Sequence, residues 1–122
     1  MKGNSKYSSI FEKLLNEKFE LAISNEILFE YFEIISSKTS ESNAQYVLNL
    51  LISLPNVKQI EPYFKWHLIS VDESDNKFVD CAITANTSFI VTEDNHFNKL
   101  NLVDFPKINV IDINDFINLI KD

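Results

Sequence analysis

Apolar residues recur along this chain with two different periods, and the switch between them divides it into elements. Tyr7, Ile10, Phe11, Leu14 and Leu15 repeat at the spacing of an amphipathic helix, which predicts a helix over Tyr7 to Lys18. Phe19 to Ser24 then reads as a strand, and Ser24 or Asn25 caps a second helix running to about Ser36, with Glu26 in its first turn. Ile27, Tyr31, Ile34 and Ile35 form the apolar face of that helix, with Leu28 beside it. A third helix is predicted from about Glu41 to Leu54, with Val47, Leu48, Leu50, Leu51 and Leu54 facing inward. Pro55 and Pro62 bracket a less regular segment, read as one helical turn around Lys58 to Ile60, and Trp66 to Val71 is a short strand.

The second half has the same rhythm. The acidic turn Asp72-Glu-Ser-Asp75 precedes a helix over Asn76 to Ala85, and Asn86 stands where helices often end in the left-handed conformation. Phe89-Ile-Val-Thr92-Glu-Asp94 is a short apolar run ending in acid, the mark of a buried strand. A helical turn over Asn95 to Leu100, a last strand over Asn109 to Ile113 and a terminal helix capped by Asn114 complete the chain. Phe116, Ile117 and Ile120 face inward from that helix. Helices alternating with strands predict a parallel sheet in a three-layer α/β/α domain, one domain spanning residues 1–122. Met1 to Ser5 is polar and is expected to fray.

Ligands of open α/β sheets bind beyond the carboxyl ends of the strands, which places Asp94 at such an edge. Thr92, two residues earlier, points to the same side and can hydrogen-bond a carboxylate or a water. Glu30 borders the buried side of its helix, because Ile27 and Ile34 lie on the apolar face, so it can lean over the same edge. Spacing alone favours a solvated flank residue. Asp75 is placed to cap the helix after it, and Asp80 lies roughly opposite Phe78, Val79 and Ala82, where periodicity predicts solvent exposure. Glu26 and Glu33 read as surface charges, and Asp72 and Glu73 as turn acids.

Charge narrows the chemistry. The formal net charge is −7 and the chain holds no arginine, a poor footprint for general nucleic-acid binding. An acid cluster holding a metal is itself negative, so a nuclease is not excluded. The single glycine, Gly3, excludes a P-loop and a dinucleotide fingerprint. His67, His96 and one cysteine are too few for a zinc centre, and no serine or cysteine sits in a nucleophile elbow. Cys81, among Val79, Ala82 and Ile83, reads as a core filler, and a lone cysteine suits a reducing compartment. With no membrane-length apolar run and no signal-peptide pattern, a cytoplasmic location and no membrane partner are expected.

Three stretches in order resemble the PIN-domain family, in particular its toxin–antitoxin toxin-like branch. Phe19-Glu-Leu-Ala-Ile-Ser-Asn-Glu-Ile-Leu-Phe-Glu30-Tyr31 is similar to the family's second strand and the helix bearing its Glu, which falls on Glu30. Asp72-Glu-Ser-Asp75-Asn-Lys-Phe-Val-Asp80-Cys-Ala resembles the branch's acidic loop and helix, whose metal-site Asp falls on Asp75 and whose further acid falls on Asp80. Phe89 to Asp94 resembles the strand ending in Thr-x-Asp, whose Asp falls on Asp94. The family opens with an apolar strand ending in an Asp-x-Asn type motif. Met1-Lys-Gly-Asn-Ser-Lys-Tyr7 resembles the sequence after that motif, so the family's middle strand and its Asp are expected to be missing here.

The resemblance implies a metal-dependent endoribonuclease acting on single-stranded RNA, the toxin partner of an antitoxin protein, with a homodimer expected. Glu30, Asp75, Asp80 and Asp94 would be its catalytic acids, and Glu30, Asp75 and Asp94 its ligands for Mg²⁺ or Mn²⁺. The net charge and the missing first Asp point instead to a PIN-like scaffold that binds or oligomerises without cleaving. A phosphate-accepting receiver-type domain shares the acidic edge, but the first predicted strand ends in Ser24 and Asn25 rather than in acids.

Overall fold

Ser24, Ser40 and Asp112 each stop a stretch of extended backbone by accepting a backbone N–H from the first turn of the helix that follows. These caps and the apolar stripes between them set the element order of the computed structural model, which describes residues 6–69 and 72–121. The elements are α1 (Lys6–Leu15), β1 (Leu21–Ile23), α2 (Asn25–Lys38), α3 (Glu41–Ser53) and β2 (Val57–Gln59), followed by a 3-10 turn (Glu73–Asp75). Then come α4 (Asn76–Ala85), β3 (Ile90–Val91), a longer 3-10 segment (Asn95–Leu102), β4 (Val110–Ile111) and α5 (Ile113–Leu119). This is a mixed α/β fold with short parallel strands. The polar start, the side chain of Tyr7 and the end of the predicted Trp66–Val71 strand lie outside the described residues.

With so little glycine, two helices end on other residues. Glu17 (φ 61°) and Asn86 (φ 55°) take the left-handed conformation. Beyond each, the chain folds back on the last helical turn: Lys18 N donates to Lys13 O at 2.9 Å, and Thr87 N donates to Ala82 O at 3.0 Å. Both are Schellman-type ends, which satisfy carbonyls the helix leaves unpaired. Asn86 was the expected terminator of its helix.

Several expectations are corrected. The helical turn predicted around Lys58 to Ile60 is a strand, β2, because Val57 buries against the core while Lys58 and Gln59 stay at the surface. The strand predicted from Trp66 is absent over residues 66–69, where the backbone bonds to side chains of α4 instead. The terminal helix is capped by Asp112 rather than Asn114, through an acceptor bond from Asp115 N at 2.8 Å. Ile34 is exposed, so the inward face of α2 is Ile27, Leu28 and Tyr31.

All pairing is parallel, but it falls into two pairs rather than one continuous layer. β1 pairs with β2 in the register Leu21 to Val57, and β3 pairs with β4 in the register Ile90 to Val110. Among the described residues no strand joins the pairs. The core divides the same way. Leu14, Ile23, Ile27, Leu51, Val57 and Cys81 form one cluster, and Ile69, Val79, Phe97, Leu100, Ile108 and Val110 form the other. Helix α4 serves both: Cys81 enters the first, Val79 the second, and Phe78 packs on each.

Asn56, buried at the entrance to β2, ties the first half together. Its amide donates to Leu14 O at 2.9 Å and to Phe19 O at 2.8 Å, binding the end of α1 and the approach to β1. Each such bond contributes on the order of 1 kcal/mol net, and unpaired buried carbonyls add to the loss. Asn56→Ala is expected to lower the unfolding free energy by about 2 kcal/mol in urea titrations, with an unchanged denaturant slope.

Candidate metal centre

The carboxyl ends of β3 and β4 open onto a shallow cleft lined by Thr92, Asp94, Asn95, Asp112 and Asp115. Asp94 lies just beyond β3, at the edge the strand direction predicts. Its placement is local. Asp94 N donates to the Thr92 hydroxyl at 3.0 Å, and the Asp94 carboxylate accepts His96 N at 2.9 Å. The chain therefore turns tightly from strand to 3-10 segment with the acid at the bend.

Asp75 arrives from the other direction. The acidic turn is held by Asp72, whose carboxylate accepts both the backbone N–H and the hydroxyl of Ser74 at 3.0 Å and 2.8 Å. Asp75 occupies the position before α4 but makes no side-chain cap. Its carboxylate is left to face the β3 edge, where Asp75, Asp94 and His96 each offer a donor atom, all within 4.8 Å of one another. His96 Nδ1 lies 3.4 Å from Asp94 Oδ1.

The electrostatics fit a cation there. Partial burial first, then the neighbouring Asp72 and Asp94 carboxylates, raise the Asp75 carboxyl above its ordinary 3.8, with His96 and Lys77 opposing. The group carries negative charge in excess of its compensation. The two carboxylates are oxygen donors of the kind Mg²⁺ or Mn²⁺ takes, and an added cation would relieve the repulsion between them; the His96 imidazole is a softer donor than these ions prefer.

The other two predicted acids lie outside this group. The Glu30 carboxylate pairs with Lys77 Nζ at 2.8 Å, both partly buried. Glu30 does border the core as its spacing suggested, but a lysine two positions along from Asp75 engages it. Asp80, expected in solvent from its helix position, is buried at 5% exposure and accepts Trp66 N at 3.1 Å. The extended segment before the acidic turn covers the helix face that periodicity assigned to water. Cys81 is buried, and burial, with Glu61 second, pushes its thiol up to about 11, so it remains a protonated core group. His96, which the sequence offers as a surface histidine or a substrate contact near Asp94, stands beside both acids. Its only signal was its position two residues after the acid at the strand end.

A parallel α/β arrangement with acids converging at strand ends defines a class of fold that gathers carboxylates for metal-assisted chemistry. The sequence pattern of the PIN domain matches residues 1–96, and the chain belongs to the PIN-domain family. Members of that family are generally nuclease-like and typically bind divalent metals. No curated protein and no solved structure matches the chain. No helix among the described residues is long and apolar enough to cross a membrane.

The raised Asp75 gives a prediction with a definite sign. The folded chain favours the protonated acid, so this contribution to stability is present at low pH and is lost as pH rises through the raised value. Ionised Asp75 therefore costs stability at neutral pH. Asp75→Asn is expected to raise the metal-free Tm at neutral pH, and the gain should vanish in acid. Added Mn²⁺ should raise the Tm of the wild type and leave that of Asp75→Asn nearly unchanged. Scanning calorimetry across pH, with and without Mn²⁺, checks both.

Proposed function

We propose that the chain is a metal-dependent endoribonuclease acting on single-stranded RNA, as the toxin of a toxin–antitoxin pair in the cytoplasm. The observation that carries this reading is the convergence of Asp75, Asp94 and His96 at the carboxyl edge of a PIN-family domain. Asp75 and Asp94 would hold Mg²⁺ or Mn²⁺, with His96 beside them, while Glu30 is engaged by Lys77. When bound, such an ion neutralises charge on a phosphodiester and lowers the pKa of a water.

The chain's own residues divide the remaining work. The Asp94 carboxylate is fixed by His96 N, so the acid at the bend needs little reordering when the site loads. Lys77, bonded to Glu30 and to Ser74 O, places one positive charge beside the acids, where it can attract a phosphate. Asp80 acts by positioning: its buried carboxylate holds the Trp66 backbone onto α4. An antitoxin protein would cover the site until release, and a homodimer would add a second acidic edge.

A second reading has its own support. Glu30 and Asp80 are engaged by Lys77 and Trp66 N, which leaves two carboxylates in the cluster. A binding or oligomerising scaffold without cleavage fits that count. Calorimetric titration with Mn²⁺ separates the readings, since micromolar binding favours the enzyme and no detectable heat favours the scaffold.

In the activity test, the purified chain with Mn²⁺ is expected to cleave single-stranded RNA, and chelation should stop it. Asp94→Asn should lower the rate by at least about a hundredfold, the scale on which lost charge stabilisation acts. Equal cleavage by that variant would remove Asp94 from the site.

A further inference from the structure

Several exposed aromatic side chains lie on or against one extended strip outside both core clusters, while Phe29 and Tyr46 are exposed elsewhere. Tyr63 is 97% exposed, Phe105 81% and Phe64 61%. Trp66 sits among them: its ring centroid lies 4.6 Å from that of Phe64 and 6.1 Å from that of Phe105, both edge-on. A soluble domain rarely leaves a cluster of this kind uncovered without a binding role.

The strip also departs from the charge of the rest. Between Pro55 and Ile69 the sequence holds Lys58, Lys65 and His67 against the single acid Glu61, in a chain of net charge −7. The Glu61 carboxylate is turned away to accept Asn25 N at 3.1 Å. Lys65 and His67 meet Glu26 and Glu73 only at 3.9 Å, and these pairs are exposed. Exposed pairs of this length contribute little and yield readily to a phosphate. Asp104 stands beside Phe105 and Lys107 two residues beyond it, so the far side of the strip is balanced. Tyr63-Phe64-Lys65-Trp66-His67 thus interleaves rings with a lysine and a hydrogen-bonding imidazole, the chemistry that stacks bases and follows a phosphate backbone.

The strip also leads to the acids. Trp66 N is held by Asp80, and both backbone groups of Ile69 are held by the Asn76 amide at 2.9 Å. The segment therefore runs along α4 toward its N-terminus, where Asp75 stands. At 1.5 Å rise per residue, Asp80 and Asp75 are about 7.5 Å apart along the helix axis. Between strip and helix lies a cleft lined by Glu26, Lys65, His67, Glu73, Lys77 and Asp80, in which the acids pair with the basic groups or with backbone.

We propose that Tyr63, Phe64, Trp66 and Phe105 form a base-stacking platform for single-stranded RNA, with Lys65 and His67 contacting its phosphates as the strand passes toward Asp75 and Asp94. The proposal rests on the nuclease reading for its direction, but binding is measured separately from cleavage. Trp66 is the sole tryptophan and reports on the platform.

The test titrates the full chain, in EDTA, with a short oligouridylate and with a duplex RNA of equal length. Trp66 fluorescence and the anisotropy of labelled RNA are both followed. Quenching by the single strand and weaker binding of the duplex are expected. Tyr63→Ala and Phe64→Ala should each weaken single-strand binding about tenfold. Tyr63 is almost wholly exposed, so its variant leaves the packing intact; an unchanged melting profile confirms that. Equal affinity for duplex and single strand, or wild-type affinity in both variants, overturns the platform. So does sedimentation showing a dimer of the wild type that Tyr63→Ala dissociates, because the strip would then be covered by a second copy. RNA binding that depends on Tyr63, without any Mn²⁺-dependent cleavage, retains the platform and removes the nuclease reading.

Discussion

One side chain fixes how the middle of this chain lies on the rest. The buried Asn76 amide donates to Ile69 O and accepts Ile69 N, each at 2.9 Å, as a neighbouring strand would. Asp80, one helical turn further on, takes Trp66 N. The segment Trp66–Ile69 has no strand partner among the described residues, so its backbone polar groups need side chains if they are to be buried at low cost. Two polar residues of α4 meet that need. In doing so they set where the acidic turn begins, and so where Asp75 faces.

The same helix carries the division of the core. Two strand pairs that do not join expose more edge than one sheet of four. What holds them in one molecule is that α4 is apolar toward both, with Cys81 and Val79 on its two flanks and Phe78 between them. The acid cluster depends on this geometry, because Asp75 precedes α4 while Asp94 follows β3, which packs in the second half. A shift of one half relative to the other would separate the carboxylates before it exposed much apolar surface.

The helices were legible because their signals are local. Apolar spacing, the Ser24 cap and the left-handed Asn86 all lie within a few residues of what they determine. Asp94 was legible for the same reason: strand direction puts a carboxyl-end acid at the edge. β2 was not, since two of its three residues are exposed and polar, and what makes it a strand is the distant backbone of β1. Asp80 was missed through a contact fourteen positions away in sequence, which helical periodicity does not encode. The pairing of Glu30 with Lys77 is likewise a contact between two helices, and the Glu30 spacing gave only the side of the helix.

The placement of charge ties these observations together. On the proposed nuclease reading, an acidic chain must keep its negative potential where it is useful and weaken it elsewhere. Here partial burial, and after it repulsion from the Asp72 and Asp94 carboxylates, raises Asp75, a cost that a divalent cation at the site would offset. Glu30, which would add to that repulsion, is neutralised by Lys77. Asp80 is removed from solvent and spent on a backbone N–H. Glu61 is turned to the first N–H of α2, where the helix dipole favours it. Glu30, Asp80 and Glu61 are thus each given a local partner, while Asp75 and Asp94 meet at the β3 edge with only His96 and Lys77 opposing their charge.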